Sequence, residues 1–348
     1  MQDSAKPLTE GELELVHALQ LRPRAPWTEL GRALGVDAVT VARRWHRLTD
    51  SGRAWVTISP GPRAYQLLCF AFVEIGCATG HAGEVAETLA GHPHFLTIER
   101  TTDAHLLLGT VATDDLAMMS RYTLDVLPVV PHVTAVRARV VTHMFTEGGR
   151  WRIDALDPNQ QTRLACTPTA ADRPGSHPLT PLDRALLTHL SHDGRAPHQQ
   201  LATSLGVSAQ TIKRRIDTFT RTGLLRFRCD FARPLGGWPV AVTFWATAPA
   251  ADLLDIGHAL AHYRQTRNCA ALSAEYNLVL QVNTINLADV LDFETRFTRT
   301  HPGLRIGERL LTMRHHKLLG HILDPHGRST AVVPPAPWNE PTLRPNER

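Results

Sequence analysis

The 348-residue chain has no apolar run long enough to span a bilayer. Its first residues, MQDSAKPLTE, lack the basic stretch and apolar core of a secretory signal. Cysteine is scarce: Cys69, Cys77, Cys166, Cys229 and Cys269 are odd in number, and no two have metal or redox spacing. They are therefore expected to be reduced packing residues in a cytoplasmic protein. No Gly-rich phosphate loop follows a strand, and neither a Gly-x-Ser-x-Gly elbow nor a Cys/His pair of nucleophilic type is present. The expectation is a chain that is not an enzyme and carries no cofactor. A net charge of +4 leans only weakly toward a polyanionic partner, because charge must cluster before it indicates nucleic acid. An apolar fraction of 43% and a charged fraction of 20% are those of a soluble globular protein with two to four domains.

What is present is a duplication. Arg24-Ala25-Pro26 recurs as Arg195-Ala196-Pro197, an offset of 171 residues. Leu34-Gly35-Val36 returns as Leu205-Gly206-Val207, and Arg43-Arg44 as Arg214-Arg215. Over residues 24–52, 13 of 29 positions match without a gap, where chance gives roughly two.

Each copy starts with a helix signal. Thr9-x-x-Glu12 reads as a capping box, and Thr180 is followed by Pro181 and Asp183. An apolar stripe, a short Arg-Ala-Pro turn and a second helix over 27–34 or 198–205 follow. Gly35 or Gly206 then stands where a left-handed C-cap is needed, and Asp37 or Ser208 caps a third helix. Trp55–Ile58 and Leu225–Phe227 read as short wing strands. After each of these three-helix, helix-turn-helix units (each a reader) the period changes from 3.6 to 2 and back, giving strand-helix-strand-strand-helix-strand over 67–143 and again over 240–313. That order is the ferredoxin-like βαββαβ motif. The expected fold class is α+β, with two winged helix-turn-helix domains and two ferredoxin-like domains in tandem. The expected boundaries are a first reader at 1–60, a first βαββαβ domain at 65–145, a linker at 146–178, a second reader at 179–232, a second βαββαβ domain at 238–320 and a disordered tail at 325–348.

The third helix of each reader is the candidate DNA-binding element. In copy two, Ser208, Ala209, Gln210 and Thr211 offer a small, polar helix start suited to base edges, and Lys213, Arg214 and Arg215 offer cations for phosphates. Arg221, Arg226 and Arg228 extend that supply. Copy one presents Ala38, Val39, Thr40, Arg43, Arg44 and Arg47, with Asp37 as cap and Arg53 in the wing. Asp37 and Val39 suit polar readout less well, so copy two is expected to carry most of the specific affinity.

The run Thr180-Pro181-Leu182-Asp183…Leu186-Leu187…Asp193-Gly194-Arg195…Leu205-Gly206-Val207-Ser208…Thr211…Arg214-Arg215-Ile216…Gly223-Leu224-Leu225 resembles the leucine-responsive regulator (Lrp/AsnC) family. The resemblance covers about 300 residues as two full units. It implies a sequence-specific transcriptional regulator that binds double-stranded DNA, whose βαββαβ domains (called RAM) pair through their sheets and bind a small effector. The chain departs from the family's Gly-x-x-Asp turn between the second and third RAM strands. It has Thr102-Asp103-Ala104-His105 and Ala274-Glu275-Tyr276-Asn277 instead. The effector residues this implies are Thr102, Asp103, His105, Ala274, Glu275 and Asn277. The lost glycine and carboxylate argue against a simple aliphatic amino acid as ligand. Intrachain RAM pairing and further homo-oligomerisation are also expected.

Two rival readings remain. Sirohaem decarboxylases resemble the same family and would need His94, Arg100 and His105 gathered in a RAM cleft, with Tyr276-Asn277-Leu278 similar to that group's strand start. A sensor that has lost DNA binding is the other. The 19 histidines are densest at His92-x-His94 and at His315-His316 with His321, without ligand spacing of zinc type, so no metal site is expected.

Overall fold

The computed structural model describes residues 6–165 and 179–342. Cys166 and residues 343–348 of the expected tail lie outside the described residues. Reader one consists of α1 (Glu10–Leu21), α2 (Trp27–Leu34) and α3 (Ala38–Asp50), followed by strand β1 (Ala54–Pro60). A short α4 (Ala64–Leu67) leads into the first RAM domain: β2 (Cys69–Cys77), α5 (Ala82–Ala90), β3 (Phe95–Thr101), β4 (Leu106–Thr113), α6 (Leu116–Arg121) and β5 (Val133–Thr146). After α7 (Pro158–Leu164) come reader two, with α8 (Pro181–His192), α9 (His198–Leu205), α10 (Ala209–Arg221) and β6 (Leu225–Phe231), and the second RAM domain. The latter has β7 (Val240–Thr247), α11 (Leu253–Ala261), β8 (Thr266–Ser273), β9 (Leu278–Thr284), α12 (Ala288–Thr300) and β10 (Arg305–Leu318), then β11 (His321–Leu323) and β12 (Ser329–Val332). Both capping boxes form, with Glu12 and Asp183 reaching back to Thr9 and Thr180. The second helix of RAM one changes character along its length: after Arg121 it widens into i→i+5 bonding over Tyr122–Val126, and Pro128 stands in the short 3₁₀ turn that ends it.

The two wing strands do not fold back on their own readers. β1 and β6 pair antiparallel with one another, and Thr57 faces Arg228 at the centre of the register. Those two positions are 171 residues apart, so the duplication's offset coincides with a pseudo-twofold axis. The same axis relates the Arg-Ala-Pro turns. Arg195 donates to the carbonyls of Pro23 (2.6 Å) and Ala25 (2.9 Å), while Arg24 donates to those of Gly194 and Ala196, the latter at 3.1 Å. Each guanidinium fork grips two carbonyls of the opposite turn, a geometry lysine cannot reproduce. Strand exchange also mixes the cores. Phe231, Leu235 and Trp238 pack with reader one, and Ile58 packs with reader two.

The RAM sheets join in the same symmetric way. Strand order runs β10-β3-β4-β2-β5-β8-β9-β7, and β7 pairs back onto β10, closing a ring of eight strands. β5 uses Val133–Val140 to pair with its own β2, then Val140–Thr146 to pair with β8. β10 does the same, with β7 through Leu311 and with β3 from Thr312 onward. Both strands therefore outrun their sequence-predicted ends, because pairing with the other unit continues them. Phe72, Leu108, Trp245, Ala270, Leu272, Val279 and Leu310 fill the space between the sheets. On β2, Phe70 and Phe72 point inward, whereas Val242 and Phe244 of β7 turn toward their own helices.

Two sequence expectations are corrected. Within the expected linker, Trp151, Ile153, Leu156 and Leu164 are buried in the core of reader one. Their backbone is tied there, with the N–H groups of Ala155 and Leu156 both donating to His17 Nδ1 at 3.0 Å, and that of Ile153 to Gln20. The expected disordered tail is likewise ordered through residue 342. β12 pairs with β11, Ser329 N donates to Gly52 O at 2.8 Å, Ala336 is buried, and Trp338 packs against reader two. Pro335 and Pro337 lie against apolar residues such as Leu96, Leu187 and Leu319, where the missing N–H of proline gives up no ladder bond.

Candidate nucleic-acid interface

α3 and α10 each start where their caps dictate. Asp37 accepts from Thr40 N at 2.8 Å and Ser208 from Thr211 N at 3.1 Å. Gly35 and Gly206, with φ of 69° and 66°, make the tight turn that sets the angle between second and third helix. Val41, Trp45 and Leu48 bury one stripe of α3, and Ile212, Ile216 and Phe219 the matching stripe of α10. The opposite faces stand in solvent. Gln210, Lys213 and Arg214 are exposed on α10, and Val39, Arg43 and Arg47 on α3. Ala209, Thr211, Ala38 and Thr40 are half-buried beside them, and Ser208 is exposed. An amide and two cations on one helix face can meet a base edge and two phosphates. On α3 the equivalent of Gln210 is Val39, 76% exposed, which offers a base only apolar contact.

The remaining cations have other partners. Arg215 is half-buried and ion-paired with Asp183 on α8, and Arg44, its counterpart, lies over Gly11 of α1. These two arginines join third helix to first. Arg53 bonds the carbonyls of Lys6 and Pro7, and Arg226 lies 3.4 Å from Glu147. Arg228 is buried against Asp230 (2.6 Å) and Glu147 (3.8 Å). Burial pushes the Asp230 carboxyl up, but Arg228 and Arg267 outweigh it and hold it below the ordinary aspartate range. Arg226 and Arg228 thus belong to an ionic layer between readers and ring, whereas Arg53 is tied within reader one. In that layer Arg233 also donates to Asn283 (2.7 Å) and lies against His315, and Thr312 donates to Glu99 (2.7 Å).

The expected effector residues lie on the two turns at the end of the ring away from the readers. Thr102, Asp103, His105, Ala274 and Glu275 are exposed, and the Asn277 amide both donates to and accepts from the backbone of Ala248 (2.9 Å each). Thr102 N donates to Leu311 O, and Tyr276 packs over Gly307, so both turns touch β10. Between them lie the buried Glu74–Arg139 pair and the Trp245 ring, over which Arg139 sits at 4.1 Å. Burial, reinforced by Glu74, raises the Glu308 carboxyl. Among the described residues, cavities lie elsewhere, at the junction of readers and ring. One of them, largely apolar, is bounded by Ile58, Leu68, Leu96, Leu187 and Leu225 and is covered by Pro335 and Trp338.

His94, Arg100 and His105 do not converge. His94 is buried at the start of β3 and bonds Asn339 O at 2.8 Å. Arg100 lies six residues further along that strand, about 20 Å away at strand rise, and His105 stands in the exposed turn. A different histidine group does come together: His81, Glu84 and His132. Only the His81–Glu84 spacing was legible in the sequence; His132 is 51 residues away and is delivered by the fold.

The AsnC-type helix-turn-helix domain model matches residues 8–49 and 179–219. The HTH-type transcriptional regulator FL11 of Pyrococcus horikoshii is 26% identical over 145 residues, covering 40% of this chain and 94% of that protein. FL11 of Pyrococcus abyssi is 21% identical over 140 residues, covering 40% and 92%. A whole relative thus spans about one reader-plus-RAM unit. Among solved structures, the siroheme decarboxylase NirDL has a similar fold, with a TM-score of 0.57 at 13% identity, covering 89% of this chain and 93% of that one.

Proposed function

We propose that this chain, a tandem member of the Lrp/AsnC family by its two AsnC-type helix-turn-helix domains, is a DNA-binding transcriptional regulator whose α3 and α10 read a double-stranded site. The observation that carries this reading is the solvent-facing row Gln210-Lys213-Arg214 on α10, with Val39, Arg43 and Arg47 facing solvent on α3, on two readers clamped about one axis. Relatives named as transcriptional regulators support it. Base reading falls to Ser208, Ala209, Gln210 and Thr211, and in copy one to Ala38, Val39 and Thr40; Lys213, Arg214, Arg43 and Arg47 meet phosphates. Arg215 and Arg44 hold those helices in place.

One chain on this reading is a pseudo-dimer that needs no partner copy to complete its reader pair, and it works in the cytoplasm. Chains associate further through exposed apolar positions such as Ile285, Leu287 and Leu291 at the start of α12. A small effector would act from the far end of the ring, at Thr102, Asp103, His105, Ala274, Glu275 and Asn277. The likeness to a decarboxylase is one of fold, and the side chains that chemistry would use are dispersed, so we assign no enzymatic activity. Genome-wide footprinting of the intact protein tests the reading. Discrete protected sites near promoters are expected, and uniform, sequence-independent occupancy would overturn it.

A further inference from the structure

We propose that His81, Glu84 and His132 form a binding site for a divalent transition-metal ion of the zinc type. His81 caps α5, Glu84 lies one turn into that helix, and His132 sits in the turn before β5. Their ligand atoms all lie within 4.8 Å of one another, with Glu84 Oε2 3.0 Å from His81 Nδ1 and 3.8 Å from His132 Nε2. A tetrahedral ion with bonds of about 2.0–2.1 Å needs donors roughly 3.3 Å apart. Closure therefore asks for movements of about an ångström in side chains that are 37–63% exposed and free to make them. The two imidazoles are stacked 3.7 Å apart at 8°, so one ring must turn about its χ2 to bring its lone pair inward.

The backbone supports this assembly independently. His132 has φ of 68°, a left-handed conformation uncommon for a residue with a Cβ and often kept where function needs it. Ala78 links the two turns, donating to His132 O (2.9 Å) and accepting from His81 N (3.0 Å). The positions 171 residues on are Asp252, Asp255 and Gly303, and Gly303 is not among the positive-φ glycines. The site thus belongs to unit one alone. Two imidazole nitrogens and one carboxylate suit zinc and its neighbours, whereas magnesium and calcium favour all-oxygen sites. Three protein ligands leave a coordination position open to solvent.

Calorimetric titration of Zn²⁺, and separately of Mg²⁺, into the intact chain tests the proposal. One Zn²⁺ per chain is expected, with a dissociation constant on the order of micromolar or tighter, and no comparable uptake of Mg²⁺. His81→Ala and His132→Ala should each weaken this binding at least about tenfold, and Glu84→Gln should weaken it while preserving shape. His326→Ala, at an exposed site elsewhere, should leave it unchanged. Absence of Zn²⁺ uptake, Zn²⁺ binding that survives His81→Ala and His132→Ala, or equal affinity for Mg²⁺ would each overturn it. All three side chains lie at the surface, and circular dichroism checks that the variants fold.

Discussion

Gln210 and Val39 occupy equivalent positions in the two readers, as do Ser208 and Asp37 and Lys213 and Ala42, and on the proposed reading these differences make the readers unequal. Losing one good base contact costs about 1–3 kcal/mol. Gln210→Ala should therefore relax specificity at one base pair, and Arg214→Ala should weaken binding to all sequences and flatten its salt dependence. Val39→Ala and Arg43→Ala should do less in the same isotherms; a larger effect of the copy-one changes would reverse the assignment. His17 makes a second prediction at this scale. Burial first, then Arg152, lowers its pKa from 6.5 to about 4, and its neutral Nδ1 accepts two backbone N–H groups. The folded-state pKa lies below the unfolded one, so its contribution is full above about pH 6.5 and is lost as pH falls toward 4. The shift corresponds to on the order of 3 kcal/mol. Denaturation midpoints should fall steeply across that window, and His17→Asn, which keeps an acceptor but cannot titrate, should flatten the fall. An unchanged slope would contradict this account. His92, His316 and His321, each also lowered to about 4, reinforce the trend.

Among elements, those carrying local signals were legible in the sequence. The capping boxes, the Gly35 and Gly206 turns and the RAM strand-helix order all write themselves into period and punctuation. What stayed hidden depends on the second unit. The ends of β5 and β10 are set by β8 and β3, and the partner of each wing strand is the other wing strand. The wing arginines looked like phosphate contacts because charge pattern does not reveal Glu147 and Asp230 across a fold. The pairing of Arg215 with Asp183, 32 residues away, is hidden for the same reason. The turns joined by Arg24 and Arg195 are the element-scale test. Either residue changed to Ala strands two carbonyls and should cost about 1–3 kcal/mol. DNA affinity should drop as well, because the readers lose their fixed relation. Lys at either position should rescue little, having no fork. Chemical denaturation and binding isotherms that leave both variants at wild-type values would refute a clamping role.

For the whole molecule, duplication places both halves of a symmetric assembly on one chain, where tethering supplies an effective concentration of roughly millimolar. The β1–β6 pair, the ring of eight strands and the C-terminal segment that reaches RAM one and reader two hold the halves together at three levels. A chain cut within 166–178 should therefore copurify as two associated fragments by light scattering. Fragments that separate would mean that the tether, and not the interface, maintains the pair. On the proposed reading, one chain presents two readers to one duplex. Hydroxyl-radical footprinting on a site recovered from the genome tests it most directly. Two protected patches on one face of the DNA are expected at one chain per site, with Gln210→Ala altering only one patch. A single patch, or protection that needs two chains per reader pair, would contradict it.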